Sequence, residues 1–230
     1  MDIDFNFKSY LDLIYEIKSL GYKVVFFEDL DMNDKHLILR HDIDVSLESA
    51  LKMASFEASH KIYSTYFILL RSEMYNIYSY SATEIIQKIL SLGHRIGLHF
   101  DHSIYTDNDL NTIDKYCAKE SFAIENWFNI NINVISFHQP SKLLLSLDRN
   151  IAGRINSYQS SYFKKILYCS DSRGGWFYGN PLEAIKRVKD IPIQLLTHPI
   201  WWDSQSMNDP SKRLDRFALE NIKSFLNDLT

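Results

Sequence analysis

A chain of 230 residues, 46% hydrophobic and 14% aromatic, is long enough for one substantial core and too apolar to stay disordered. Its net charge of −4 supplies no basic footprint for nucleic acid. The two cysteines, Cys117 and Cys169, lack the spacing of a zinc knuckle or a disulfide framework and read as small core residues.

The N-terminal residues carry acids where a secretion signal needs positive charge. No stretch reaches the length of a membrane span, so the expected location is the cytoplasm. Residues 7–20 are spaced as an amphipathic helix, with Tyr10, Leu13, Ile14 and Ile17 on one face and Gly21 as its stop. Strands are expected at 23–27 and, more strongly, at 36–41. Ser46 then caps a helix running to about His60, with Leu47, Ala50, Leu51, Ala54 and Ala58 as its core stripe. Residues 64–70 form a nearly all-apolar strand, as in a sheet covered on both faces. A helix over 83–93 and a strand over 94–100 follow. The helix from Asp109 to about Phe128 carries Ile113, Tyr116, Cys117, Ile124, Trp127 and Phe128 on one side. A strand over 133–138 precedes a weakly patterned excursion, 139–164. Strands at 165–171 and 193–198 flank a helix over 181–190 begun by Pro181. A last helix runs from Pro210, with Leu214, Phe217, Ala218, Asn221, Ile222 and Phe225 spaced for one face. This alternation predicts an α/β protein with parallel strands and right-handed crossovers, in one domain over 1–230.

The strand ends are the informative part. The apolar run Leu37-Ile38-Leu39 stops at Arg40, His41, Asp42 and Asp44. Arg71 and Ser72 follow the next strong strand, then His99, Asp101 and His102, then His138, then Ser170, Asp171 and Arg173, then His198. In a parallel α/β fold these carboxyl ends share one face, where ligands bind. A cap or a core hydrogen bond explains any one of them. Desolvating so many ionisable groups in one cleft is costly unless they pair or bind a metal. Asp and His suit zinc or a similar divalent ion, and three protein ligands leave one position open. In D-I-D one acid can hold the ion while the other stays free as a base, and a histidine from another strand can protonate a leaving amine. That set of parts hydrolyses an amide or an ester.

At these residues the sequence resembles the polysaccharide deacetylase superfamily, carbohydrate esterase family 4, in the form of a branch with an R-H-D-[IV]-D motif. The likeness spans about residues 37–202. "RHDID" (40–44) sits where that family has its paired aspartates, which would make Asp42 the general base and Asp44 a metal ligand. "GHRIGLHFDHS" (93–103) resembles a G-H-E-I-G-x-H motif and would make His99 a metal ligand. "LTHPIWW" (196–202) resembles the late leucine-histidine motif and would make His198 the general acid. "SFHQPS" (136–141) and "CSDSRGGW" (169–176) occupy the places of the middle motifs. There Asp171 and Arg173 would orient His198 or hold substrate, with Trp176 lining the pocket. Trp176, Trp201 and Trp202 lie beside site motifs, where a tryptophan face either stacks on a sugar ring or fills the core; Trp176 and Trp202 are the candidates for sugar binding.

The sequence departs from the family pattern where the second metal histidine belongs. That position is Ser103, with His102 one place early. The third ligand is then His138, His102 or Asp101. His138 is preferred because it ends a strand, and a two-ligand site with a weakly held ion is the further alternative. The resemblance implies a distorted (β/α) barrel of about seven parallel strands, a bound divalent metal and removal of an acetyl group from a sugar. The ligand types suggest zinc, and the expected cytoplasmic location suggests that the sugar is a precursor in surface polysaccharide biosynthesis. The competing readings are another amide as substrate and a non-catalytic carbohydrate-binding relative. His36, His60 and His94 are assigned no role.

Overall fold

The structure, a computed structural model, describes residues 4–105, 109–177, 179–188, 190–202 and 209–228, with side chains up to residue 223. Helix α1 (Phe7–Ser19) buries Tyr10, Leu13, Ile14 and Ile17, the face its periodicity predicts. Strand β1 (Lys23–Val25) is shorter than expected, because Phe27 turns into a 3-10 helix and is buried there. Strand β2 (His36–Ile43) is buried along its whole length and runs on through the charged residues. Helix α2 (Leu47–Ser59) starts where the Ser46 side chain accepts from Ser49 N, a cap typically contributing about 1 kcal/mol.

Strand β3 (Thr65–Ile68) leads to helix α3 (Tyr80–Ser91), which begins three residues before the expected start because Ser79 caps it. Strand β4 (Arg95–Asp101), helix α4 (Leu110–Phe128) and strand β5 (Val134–His138) follow. On α4, Ile113, Cys117, Ile124 and Phe128 are buried, whereas Trp127 is 48% exposed and donates to Thr83. The excursion after β5 is ordered into helix α5 (Lys142–Ser146), strand β6 (Ile155–Asn156) and helix α6 (Ser160–Phe163). These elements are too short for periodicity to reveal. Strand β7 (Leu167–Ser170), helix α7 (Pro181–Arg187), strand β8 (Ile193–Thr197) and helix α8 (Pro210–Asp228) complete the described chain.

Every named ladder is parallel, in the order β6-β5-β4-β3-β2-β8-β7, with β1 beside the first half of β2. Seven strands on this path thus make the distorted (β/α) barrel that the resemblance implies. The sheet curls until its two ends face each other: Phe163, just beyond β6, meets Tyr168 of β7 with ring centroids 4.9 Å apart. Across the gap, Gln194 of β8 donates to the carbonyl of Ser157 at 3.2 Å.

Alternation along the strands sorts the residues between two layers. Leu37 and Leu39, Ile193 and Leu195 pack outward under α1 and α7, while Tyr66, Ile68, Ile96, Leu98 and Ile135 pack under α2, α3 and α4. The inner face holds a small apolar floor of Ile38, Phe67 and Val134 against Phe27. Gly97 makes room for that floor. A Cβ there would lie 2.5 Å from the Phe67 ring. Helix α8 is different. Leu214 and Ile222 remain 40% and 57% exposed, and Phe225 lies outside the described side chains, so its apolar spacing does not mark a core-facing stripe over the described part. Its anchor is Arg213, which donates to the carbonyls of Trp201 and Phe5. No helix among the described residues is long and apolar enough to cross a membrane.

Candidate metal centre and active site

Arg40, Asp42 and Asp44 are spaced by two, so they share the inner face at the carboxyl end of β2. His41 points the other way. Its Nε2 lies 3.0 Å from Glu57 Oε1 on α2, and its Nδ1 lies 2.6 Å from Thr197 Oγ1 on β8. The four ionisable residues that end this strand therefore serve two different layers.

Inside the barrel, Arg40 has all five of its N–H groups engaged. Nε and Nη2 donate to the two Asp42 oxygens at 2.9 and 2.7 Å. Nη2 also reaches Tyr158 Oη at 3.0 Å, and Nη1 reaches Ser157 Oγ and Gln194 Oε1, both at 3.3 Å. The guanidinium sits 5.3 Å from the Phe67 ring centroid and 4.8 Å from that of Tyr158. Burial alone would raise the Asp42 pKa. The Arg40 charge, followed by His99, outweighs it and holds the carboxyl below its ordinary value.

Asp44, His99 and His138 converge. His99 Nε2 and His138 Nδ1 lie 3.1 and 3.3 Å from Asp44 Oδ1, and 3.3 Å from each other. Asp44 Oδ1 is buried, and neither ring nitrogen meets it with hydrogen-bond geometry. Burial would raise the Asp44 pKa, but the two histidines hold it well below the usual carboxylate range. Asp44 in turn is the main influence raising His138, against the effect of burial.

This triangle fits a divalent ion. Four ligands at 2.0–2.1 Å in a tetrahedron stand roughly 3.3 Å apart, close to the three separations here. One carboxylate and two imidazoles are a donor set suited to zinc, and the orphaned Asp44 oxygen is the kind of buried acceptor that an ion would satisfy. The strand register explains the convergence: His99 lies beside Ser136, and Asp101 beside His138, so the two histidines sit on one face of neighbouring strands, two residues out of step.

His198 faces the triangle from β8, with Nε2 3.7 Å from Asp44 Oδ2. Its Nδ1 is 2.6 Å from Asp171 Oδ1, and its backbone N–H donates to both Asp171 oxygens. Burial favours the neutral ring, but the Asp171 carboxylate outweighs this and lifts the His198 pKa to about 9.

The residues expected to hold sugar are placed differently. Trp202 is fully buried, tilted against Phe5 and edge-on to Tyr10, so neither a sugar nor solvent reaches its face. Its Nε1 donates to Asp171 Oδ2 at 2.7 Å. The tryptophan is thus a support beneath the site, not a wall of it. Asp171 is fully buried too, and both of its oxygens are taken by His198 and Trp202, so it orients these residues and does not reach a substrate. Trp176 is half-buried and stacked on Phe5, with centroids 6.0 Å apart. Arg173, in a left-handed conformation at φ 61°, is exposed, with its guanidinium 5.1 Å from the exposed Phe177 ring. Of the two other candidates for third ligand, Asp101 accepts from Ser103 N and His102 has a buried Nδ1 without a partner. Neither joins the cluster found among the described residues.

Sequence reasoning gave no individual role to Arg40, Ser136 or Glu57. The signal for Arg40 was its i, i+2 relation to Asp42; for Ser136 it was the same relation to His138.

No protein-family model matches the chain. No curated protein matches it either. Among solved structures it is similar to a wild-type CE4 family pseudoenzyme from Bacillus anthracis, with 14% identity over 87% of this chain and 68% of that one, at a TM-score of 0.47. It is also similar to the CE4 domain of a multidomain xylanase from the hindgut metagenome of Trinervitermes trinervoides, with 15% identity, 84% of each chain covered and a TM-score of 0.44. A third is the peptidoglycan deacetylase PdaC from Bacillus subtilis, with 15% identity, 83% of this chain and 87% of that one covered, and a TM-score of 0.42.

Proposed function

We propose that this chain is a metal-dependent hydrolase that removes an acetyl group from the nitrogen of a sugar, of the kind built into surface polysaccharide. The observation that carries the reading is the convergence of Asp44, His99 and His138, with Asp42 on one side and the His198–Asp171 pair on the other. The sugar is supported by the likeness of "RHDID", "GHRIGLHFDHS" and "LTHPIWW" to the polysaccharide deacetylase motifs.

Asp44 Oδ1, His99 Nε2 and His138 Nδ1 would hold the ion, taken as zinc from the donor set. When bound it supplies Lewis acidity, polarising the amide carbonyl and acidifying water. Asp42 is the base. Arg40 keeps its carboxylate ionised, and Asp42 Oδ2, 3.7 Å from His99 Nε2, stands beside the cluster, where it takes the proton of the attacking water. His198 is the acid. With Nδ1 anchored on Asp171, it carries a proton on Nε2 at neutral pH and gives it to the amine nitrogen as the C–N bond breaks. The products are acetate and the free amino sugar, which balances the water consumed.

The test is acetate release from a panel of N-acetylated sugars by zinc-loaded protein, beside Asp42→Asn. The expected result is turnover that falls about 10²–10⁴-fold in the variant, with the metal content unchanged. Turnover of other amides but of no N-acetylated sugar would overturn the substrate. Undiminished activity in Asp42→Asn would remove Asp42 as base. Sugar binding by a protein that takes up no metal would favour the non-catalytic alternative.

A further inference from the structure

Ser136 stands in the quoted stretch "SFHQPS" with no role in the reaction above. It is fully buried on the inner face of β5, directly beside His99 of β4 in the register of the sheet. Its Oγ lies 2.6 Å from His99 Nδ1. His99 itself is 2% exposed, so water has little access to that nitrogen.

An imidazole can offer a lone pair at Nε2 only if its proton sits on Nδ1. That Nδ1–H then needs an acceptor, because a buried donor left unpaired loses its hydration without replacement. Ser136 Oγ is the acceptor at hydrogen-bond distance. The other ring nitrogen, Nε2, is the atom 3.1 Å from Asp44 and 3.3 Å from His138.

Resting on the metal reading above, we propose that Ser136 is a positioning residue. By accepting from His99 Nδ1–H it holds the ring in the orientation and tautomer that present Nε2 to the ion, and so sets the affinity of the site. The hydroxyl is held by the β4–β5 ladder and not by a loop, so the ring is oriented before any ion arrives.

The proposal is tested by titrating chelator-treated, full-length protein with zinc against a chromophoric competitor, and by recording the visible spectrum of the cobalt(II)-loaded protein. Ser136→Ala should bind about 10–100-fold more weakly, with an altered cobalt spectrum. Ser136→Thr keeps the oxygen and should bind within a few-fold of the wild type. Ser64→Ala separates this effect from general damage to the fold: it removes an equally buried hydroxyl, bonded to Glu57 at 2.7 Å, and should leave zinc affinity unchanged. Wild-type affinity and spectrum in Ser136→Ala would overturn the proposal while leaving the metal site intact. Equal weakening by Ser64→Ala would overturn it as well, because the effect would then be general. A wild-type protein that binds neither zinc nor cobalt would overturn the metal reading and this inference together.

Discussion

At the scale of single residues, the clearest feature is a buried charge pair whose two members have different tasks. Arg40 is buried above the apolar floor, against Phe67 and Tyr158, and Asp42 carries that pairing to the Asp44–His99–His138 cluster, with Oδ2 3.7 Å from His99 Nε2. Removing one member of a buried pair leaves the other uncompensated, at about 3–5 kcal/mol. Arg40→Met should therefore cost about that much in urea unfolding at pH 7; a loss below about 1 kcal/mol, the range of exposed pairs, would contradict the arrangement. His198 shows the opposite use of a pair. Asp171 takes its Nδ1 and leaves Nε2 free toward the site, while Trp202 holds Asp171 from below. The sequence made Asp42, Asp44, His99, His138 and His198 legible, because each ends a strand on one face. It did not reveal that Trp202 is a support, because motif neighbours do not tell whether a ring faces a cleft or a core.

At the scale of elements, β2 and β8 are tied together behind the site. Glu57 of α2, fully buried, accepts from Tyr10 at 2.5 Å, Ser64 at 2.7 Å and Tyr66 at 2.8 Å, with His41 Nε2 at 3.0 Å. His41 continues the chain to Thr197. Each of these two strands delivers its next residue, Asp42 or His198, to the site. Burial would raise the Glu57 pKa, but His41 and the donors around it lower it to about 2. A carboxyl depressed in the folded state stabilises above its unfolded pKa of 4.5, and that stability is lost as pH falls from there toward 2. The shift corresponds to about 3 kcal/mol. Wild-type stability in urea should thus exceed that of Glu57→Gln at pH 6, with the gap shrinking steadily below pH 4.5. A gap independent of pH would show that Glu57 is not held ionised. This position was partly legible. Ala50, Ala54 and Glu57 fall at i, i+4 and i+7, on the stripe that faces the core, but a lone glutamate there reads as a break in the stripe. What periodicity lacks is the identity of the partners, which come from α1, β2 and β3.

At the scale of the whole molecule, the alternation of strands and helices was legible, and so was the shared face of the strand ends. The strand order, the short elements after β5 and the exposed face of α8 were not. Each depends on which distant segment packs against which, and local spacing carries no record of that. The order matters for function, because it sets β4 beside β5 and brings His99 to His138, and it sets β8 beside β2 and brings His198 to Asp44. An ion bound only by the folded chain should also stabilise the fold. At a free concentration 100 times its dissociation constant, the gain is about 2.7 kcal/mol, or roughly 5–10 °C in Tm for a chain of this size. Zinc should raise the melting temperature of the wild type by that amount and leave Asp44→Ala unmoved; equal shifts in both would place the binding elsewhere.

The proposed function requires Asp44, His99 and His138 to hold one divalent ion. Its most direct measurement is elemental analysis of purified, tag-free protein equilibrated with zinc and freed of excess, beside Asp44→Ala and His138→Ala. The expected result is close to one equivalent in the wild type and a loss in both variants. A wild type without metal, or a His138→Ala variant that keeps its full equivalent, would contradict it.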